Sequence, residues 1–204
     1  ILLQTVDLEL YPEGGNLVAG LPTRVYLEAR TPAQKPADLA GIIVDSSGKQ
    51  VAEFRSEHEG RGRFSLTPAG GEKYTLKITE PSGIKTTYPL PEVHEQGAVL
   101  TAASDMIPAD QPVKLQVAAT GDGEYRITLR KREAEVATRN VEVTAGKATE
   151  VELTPPAQAD GVLIATLWDA EGTPLAERLI YRGNAQQLQI SIEADRSRYV
   201  PGGQ

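Results

Sequence analysis

Apolar residues in this chain recur at every second position, and that habit limits the folds open to it. Successive side chains of a strand point to opposite faces, so such runs build sheets with one face on a core and one in water. In "VDLEL", Val6, Leu8 and Leu10 face one way while Asp7 and Glu9 face the other. "YTLKI" repeats the pattern with Tyr74, Leu76 and Ile78, and "VKLQV" with Val113, Leu115 and Val117. "YRITLR" does so with Tyr125, Ile127 and Leu129, and "TEVEL" with Val151 and Leu153. Proline and glycine punctuate the runs at intervals of roughly eight to twelve residues, as in a β-sandwich with many turns. The stretch with the most helix-like composition, "LRKREAEVATRN" from Leu129 to Asn140, holds no helical apolar period and reads as a hairpin. The fold class expected is all-β.

The alternating runs also repeat. "FSLTP" at Phe64–Pro68 returns as "VELTP" at Val151–Pro155, so Leu66 and Leu153 are offset by 87 residues. "RVYLEA" returns as "VKLQVAA", with Val25 and Val113 offset by 88. After each "LTP" come a loop and a strand, "KYTLKI" or "GVLIATLWD". Near Leu188 the pattern starts again, since "ISIEADRSRYVPGG" is similar to "VLTAASDMIPADQP". Repeats of this length read as tandem domains. The expected division is a β-module over 1–97, a second over 98–184, and a linker with the first strand of a third over 185–204. Between the first two lies the link "HEQGA". Two turns share a form, Asp45 with Gly48 and Asp169 with Gly172. The Asp accepts backbone N–H bonds and the Gly supplies the positive φ that closes the turn. The chain starts at Ile1 without an initiator Met and ends in "RYVPGGQ", so a piece of a longer protein is expected.

Composition narrows the chemistry. A net charge of −7 argues against a nucleic-acid binder, which needs a basic surface to release counterions. The absence of cysteine removes disulfides, thiolate metal sites and a Cys nucleophile. Aromatic residues make up only 5%, so the cores must be built from Val, Leu, Ile and Ala.

The glycines of "YPEGGNLVAGLPTRVYLEA", Tyr11–Ala29, raise the question of a phosphate loop. Such a loop needs a following helix whose N-terminus faces the anion. Here Pro22 and an alternating strand follow, without a Gly-Lys-Ser/Thr, so Gly14-Gly15 are expected to turn the chain and Gly20-Leu21-Pro22 to open the next strand. His58 stands between Glu57 and Glu59 without a second histidine nearby, and reads as a loop residue that caps or packs a turn. His94, at the link, is expected in solvent. Glu9, Glu28, Glu150 and Glu152 alternate with core residues and form solvated faces. Arg61 and Arg63 flank Gly62 in a loop rich in charge and glycine, which explains them as well as an acidic partner would. Trp168 lacks an aromatic companion for sugar stacking, so a core or module-interface role is expected. No catalytic, cofactor or metal-binding residue is assigned, and no cofactor is implied.

The first module resembles the macroglobulin-type modules of bacterial alpha-2-macroglobulins. The resemblance lies in "PEGG-x-LV-x-GL" at Pro12–Leu21, "D-x-x-G-x-x-V" at Asp45–Val51, and "S-x-H-x-G-x-G-x-F-x-L-x-P" at Ser56–Pro68. That family often carries Met where Arg61 stands. In the second module, "GVLIATLWDAEGTPLAERLIYRG" is similar to a last hairpin with its "PLAERL" run. The resemblance implies a row of seven-stranded antiparallel β-sandwiches in the body of a periplasmic or envelope-anchored protein that traps proteases. Partners would be neighbouring modules of the parent chain, proteases through the whole parent, and other envelope proteins. The family's Cys–Gln thioester has no place in a piece without cysteine, and no long flexible segment resembles a bait region. Two rival readings stay open. One is an immunoglobulin-like spacer array of an adhesin or a carbohydrate-active enzyme. The other is a small hydrolase using His58.

Overall fold

The structure, a computed structural model, describes residues 4–184 and 190–193. Among the described residues every regular element is a strand. The first half carries β1 (Asp7–Pro12), β2 (Leu17–Val18), β3 (Thr23–Arg30), β4 (Ala40–Val44), β5 (Gln50–His58), β6 (Arg61–Leu66), β7 (Thr75–Glu80), β8 (Thr87–Pro89) and β9 (Val93–His94). Seven of these form one antiparallel sheet in the order β1-β3-β6-β5-β4-β7-β8. The long β5 makes the corner. Its first residues pair with β4, from Val44↔Gln50 to Ala40↔Arg55, while Ser56 and His58 pair with β6. The two leaves thus close on one core. Val25, Leu27, Phe64 and Leu66 enter it from one leaf, and Ile43, Leu76 and Ile78 from the other.

The second half has β10 (Ala98–Ala102), β11 (Met106–Ile107), β12 (Val113–Ala119), β13 (Gly123–Lys131), β14 (Ala134–Val143), β15 (Thr149–Leu153), β16 (Gly161–Trp168) and β17 (Pro174–Arg182). They form two sheets, β10-β12-β15 and β11-β17-β16-β13-β14. Leu100, Val113, Leu115, Val117, Val151 and Leu153 from the smaller sheet meet Ile127, Leu129, Leu163, Leu167 and Ile180 from the larger. Against the seven strands per sandwich that the resemblance implies, the first half has nine strands, seven of them in its large sheet, and the second half eight.

Both halves follow one immunoglobulin-like plan. In each, a two-residue strand after the first strand pairs parallel with the last: Leu17↔Val93 and Val18↔His94, then Met106↔Tyr181 and Ile107↔Arg182. The repeated motifs occupy equivalent strands, Val25 in β3 and Val113 in β12, Leu66 in β6 and Leu153 in β15. "LRKREAEVATRN" is the β13–β14 hairpin, turned at Arg132, whose φ is 55°.

The two Asp–Gly turns have the chemistry their sequences predict. Asp45 Oδ1 accepts from the backbone N–H of Ser47 at 3.0 Å and of Lys49 at 2.9 Å, and Gly48 has φ 84°. Asp169 Oδ1 accepts from Thr173 N at 2.6 Å, and Gly172 has φ 83°. The first strand of a third module, expected within 185–204, falls largely outside the described residues. Of its described part, Ile190 and Ile192 belong to no strand and are exposed.

Candidate functional site

The loop from Pro12 to Leu21 turns the chain as expected, with Gly15 N donating to Pro12 O at 3.0 Å and positive φ at Gly14 and Gly15. It also reaches the second sandwich. Gly14 O accepts from Glu177 N of β17 at 3.1 Å. A Cβ on Gly14 would lie 3.3 Å from the backbone N and O of Leu100 and 3.4 Å from Ala176 Cβ. Glycine therefore lets this backbone approach β10 and β17 closely.

The neighbouring Glu13 has no side-chain exposure. Burying a carboxylate is costly unless charges and donors surround it. Here Arg24 Nε donates to Oε2 at 2.9 Å, and Ala102 N donates to Oε1 at 3.0 Å. Arg178 Nε lies 3.0 Å from Oε1 as an ion pair, without the alignment of a hydrogen bond. Arg24 comes from β3 beside Glu13, whereas Ala102 and Arg178 belong to the second sandwich. Arg24 Nη2 also donates to Ala102 O at 2.9 Å.

A second layer surrounds this centre. Arg178 Nη2 donates to the Tyr26 hydroxyl at 2.9 Å and pairs closely with Asp105. Tyr26 donates to Asp105 Oδ1 at 3.2 Å, and Arg63 Nη1 to Asp105 Oδ2 at 3.1 Å. The guanidinium carbons of Arg178 and Arg24 stand 5.1 and 5.9 Å from the centre of the Tyr26 ring, a cation–π arrangement. Burial pushes the Tyr26 phenol above its ordinary pKa. The Glu13 and Asp105 charges add to this, against the pull of Arg178 and Arg24. Tyr26 therefore stays a donor at neutral pH. Beside the charged centre, Val18 and Leu21 pack against Val99 and Ala118 in a small apolar cluster.

Of the residues singled out from sequence, Gly14 and Arg63 contact the second half at this joint. Arg61 and Arg63 do not lie in a loop. Both sit in β6, because Gly62, Phe64 and Leu66 alternate inward and turn the arginines outward. Arg61 donates to Glu28 at 3.2 Å, and Arg63 joins Glu57 as well as Asp105. Glu28 is held below the usual carboxylate range, chiefly by its bond from Arg30 and then by Arg61. Glu9, Glu150 and Glu152 are exposed, and Glu28 is half-buried.

His58 neither caps nor packs a turn. Its side chain is 82% exposed at the end of β5, 3.9 Å from Glu59. His94 is exposed, with its carbonyl accepting from Ala19 N at 2.9 Å. Trp168 is neither in the core nor at the joint. It ends β16 at the parity opposite Leu167, with Nε1 donating to Thr128 Oγ1 at 2.9 Å and the Arg126 guanidinium 5.7 Å from its ring. Among the described residues no three His, Cys, Asp or Glu side chains gather as a metal ion would require.

Sequence reasoning missed Glu13, Arg24, Tyr26, Asp105 and Arg178. One signal was present: Arg24 and Tyr26 alternate outward on β3, and Glu13 stands between Pro12 and Gly14, where a merely solvated turn needs no acid. Their partners across the joint lie 42 residues away or more, beyond any local pattern.

No family model matches the chain, and no curated protein matches it. Solved structures of similar fold include domains 4–9 of the surface layer protein SbsC, at 12% identity and TM-score 0.42, covering 90% of this chain and 31% of that one. A Salmonella alpha-2-macroglobulin mutant matches at 10% identity and TM-score 0.39, covering 99% and 18%. The Yersinia pseudotuberculosis adhesin InvE matches at 12% identity and TM-score 0.35, covering 86% and 58%. The chain spans less than two thirds of each of these proteins, and the likeness is one of β-rich, immunoglobulin-like architecture.

Proposed function

We propose that this chain is a non-catalytic, shape-holding part of a bacterial alpha-2-macroglobulin, a protease-trapping protein of the periplasm or envelope. Its units would be 1–97 and 98–184, with a third beginning in 185–204. Their partners would be neighbouring modules of the parent, and proteases or other envelope proteins only through the whole parent. The observation that supports the reading is where the motif "PEGG-x-LV-x-GL" sits. Glu13, Gly14, Val18 and Leu21, all within it, are among the residues that meet the second sandwich. A motif spent on joining modules suits a protein whose work depends on how its modules are arranged.

The test is a protease assay on the full-length parent. A trap blocks cleavage of a large protein substrate while the bound protease still cleaves a small peptide substrate. Equal inhibition of both substrates, or of neither, sinks the trapping reading and favours a spacer array.

A further inference from the structure

We propose that the joint between the two sandwiches is a reversible latch, centred on Glu13, whose ionic groups are each already paired within their own module. This inference does not depend on the parent being a protease trap.

The pairing pattern carries it. Five charged groups make contacts across the joint, and each has a partner on its own side. Glu13 pairs with Arg24, and Arg63 with Glu57, within the first half. Asp105 pairs with Arg178 within the second. A buried interfacial ion pair roughly breaks even against the desolvation it costs, because each charge regains water when the partners part. Here each charge also keeps an ionic partner on its own side after opening. Opening breaks the contacts that cross: Glu13 with Arg178 and Ala102 N, Arg24 with Ala102 O, Tyr26 with Asp105 and Arg178, and Arg63 with Asp105. The backbone bond from Glu177 to Gly14 goes with them. Among the described residues, the apolar cluster at the joint is the small one of Val18, Leu21, Val99 and Ala118. The joint is thus held by directional bonds that set an angle, and little buried apolar surface opposes its release.

Two amides report on the latch alone. Ala102 N donates to Glu13, and Glu177 N donates to Gly14 O, so both lose their acceptors when the joint opens while each sandwich stays folded. The experiment compares the whole chain with Glu13→Gln and, separately, Arg178→Gln. Residue-resolved hydrogen exchange is measured, together with a spin-label distance between Ser47→Cys and Lys147→Cys. Both label sites are exposed turn residues in a chain without other cysteines. In both variants we expect Ala102 and Glu177 to exchange roughly tenfold faster or more, the response to losing a charge-assisted bond. Amides inside β3 and β12 keep their protection, and the label distances broaden and lengthen. Three results overturn the latch. The two reporter amides stay protected, or they speed up while the label distance stays narrow, or β3 or β12 loses protection with them. The last result would make Glu13 or Arg178 part of a module's own fold.

Discussion

Asp45 closes the β4–β5 turn by accepting from Ser47 N, Ser47 Oγ and Lys49 N on a single oxygen. These bonds favour the carboxylate. The Ser47 hydroxyl contributes most, and the pKa falls below its ordinary 3.8. Glu72 is lowered from 4.5 by Ser46, and Glu28 from 4.5 by Arg30. For a group whose folded pKa is depressed, the stabilisation is present above the unfolded value and is lost as pH falls through the folded one. The melting temperature should therefore hold from neutral pH down to about 4.5 and drop below it. Asp45→Asn should flatten part of that drop. Melting curves followed by circular dichroism across this range check it, and identical acid slopes in the two proteins would show that the turn carries none of the effect. At Gly41 the limit is steric. A Cβ there would lie 2.2 Å from Lys77 O and 2.6 Å from the Phe54 ring, in the pinch between β5 and β7. Gly41→Ala should cost about 1–3 kcal/mol, the usual penalty of overpacking, read from denaturant midpoints. An unchanged midpoint would mean that the pinch relaxes freely.

Strands were the most legible elements, because burial follows the alternation on which they were read. β3 alternates buried and half-buried along its whole length, and in β15 Val151 and Leu153 point inward between exposed glutamates. The Asp–Gly turns were legible for the same reason: their bonds are local. The corner in β5 was not, since pairing with two neighbours depends on a sheet closing on itself. Nor was the buried state of Glu13, whose partners other than Arg24 come from the second sandwich, or the place of Trp168. The apolar run before Trp168 suggested a core position, yet the indole lies on the far face from Leu167. At this scale the separateness of the two cores is testable. Leu115 in β12 is 1% exposed and packs only within the second core. Leu115→Ala should cost about 2–5 kcal/mol for the lost contacts and the cavity. Hydrogen exchange should show protection falling across β10–β17 while amides in β3 and β6 stay slow. A joint loss in both halves would mean that the chain unfolds as one unit.

At the scale of the whole molecule, the first sandwich protects edges that the second leaves open. A strand edge with free N–H and C=O groups is a template for pairing with another chain. The short β11 covers only Tyr181 and Arg182 of β17, and Gly14 takes up the ladder at Glu177. On the facing strand, Ala102 N turns to the Glu13 carboxylate. Two consecutive residues of the first half thus close the open side of the second, where β10 and β17 run past each other without pairing. The consequence appears when the halves are made apart. The piece 1–97 should fold alone, since its core draws only on residues from Val6 to Val93. The piece 98–184 should also fold, since its core is complete from Ala98 to Ile180. Its edges at Ala102 and Glu177 would be bare, however, so it should self-associate as concentration rises, while the joined chain remains monomeric. Light scattering over a concentration series separates the cases, and adding 1–97 should reverse the association by covering those edges again. If 98–184 stays monomeric throughout, or 1–97 fails to disperse it, the Glu13–Gly14 contact does not protect these edges and the joint serves geometry alone.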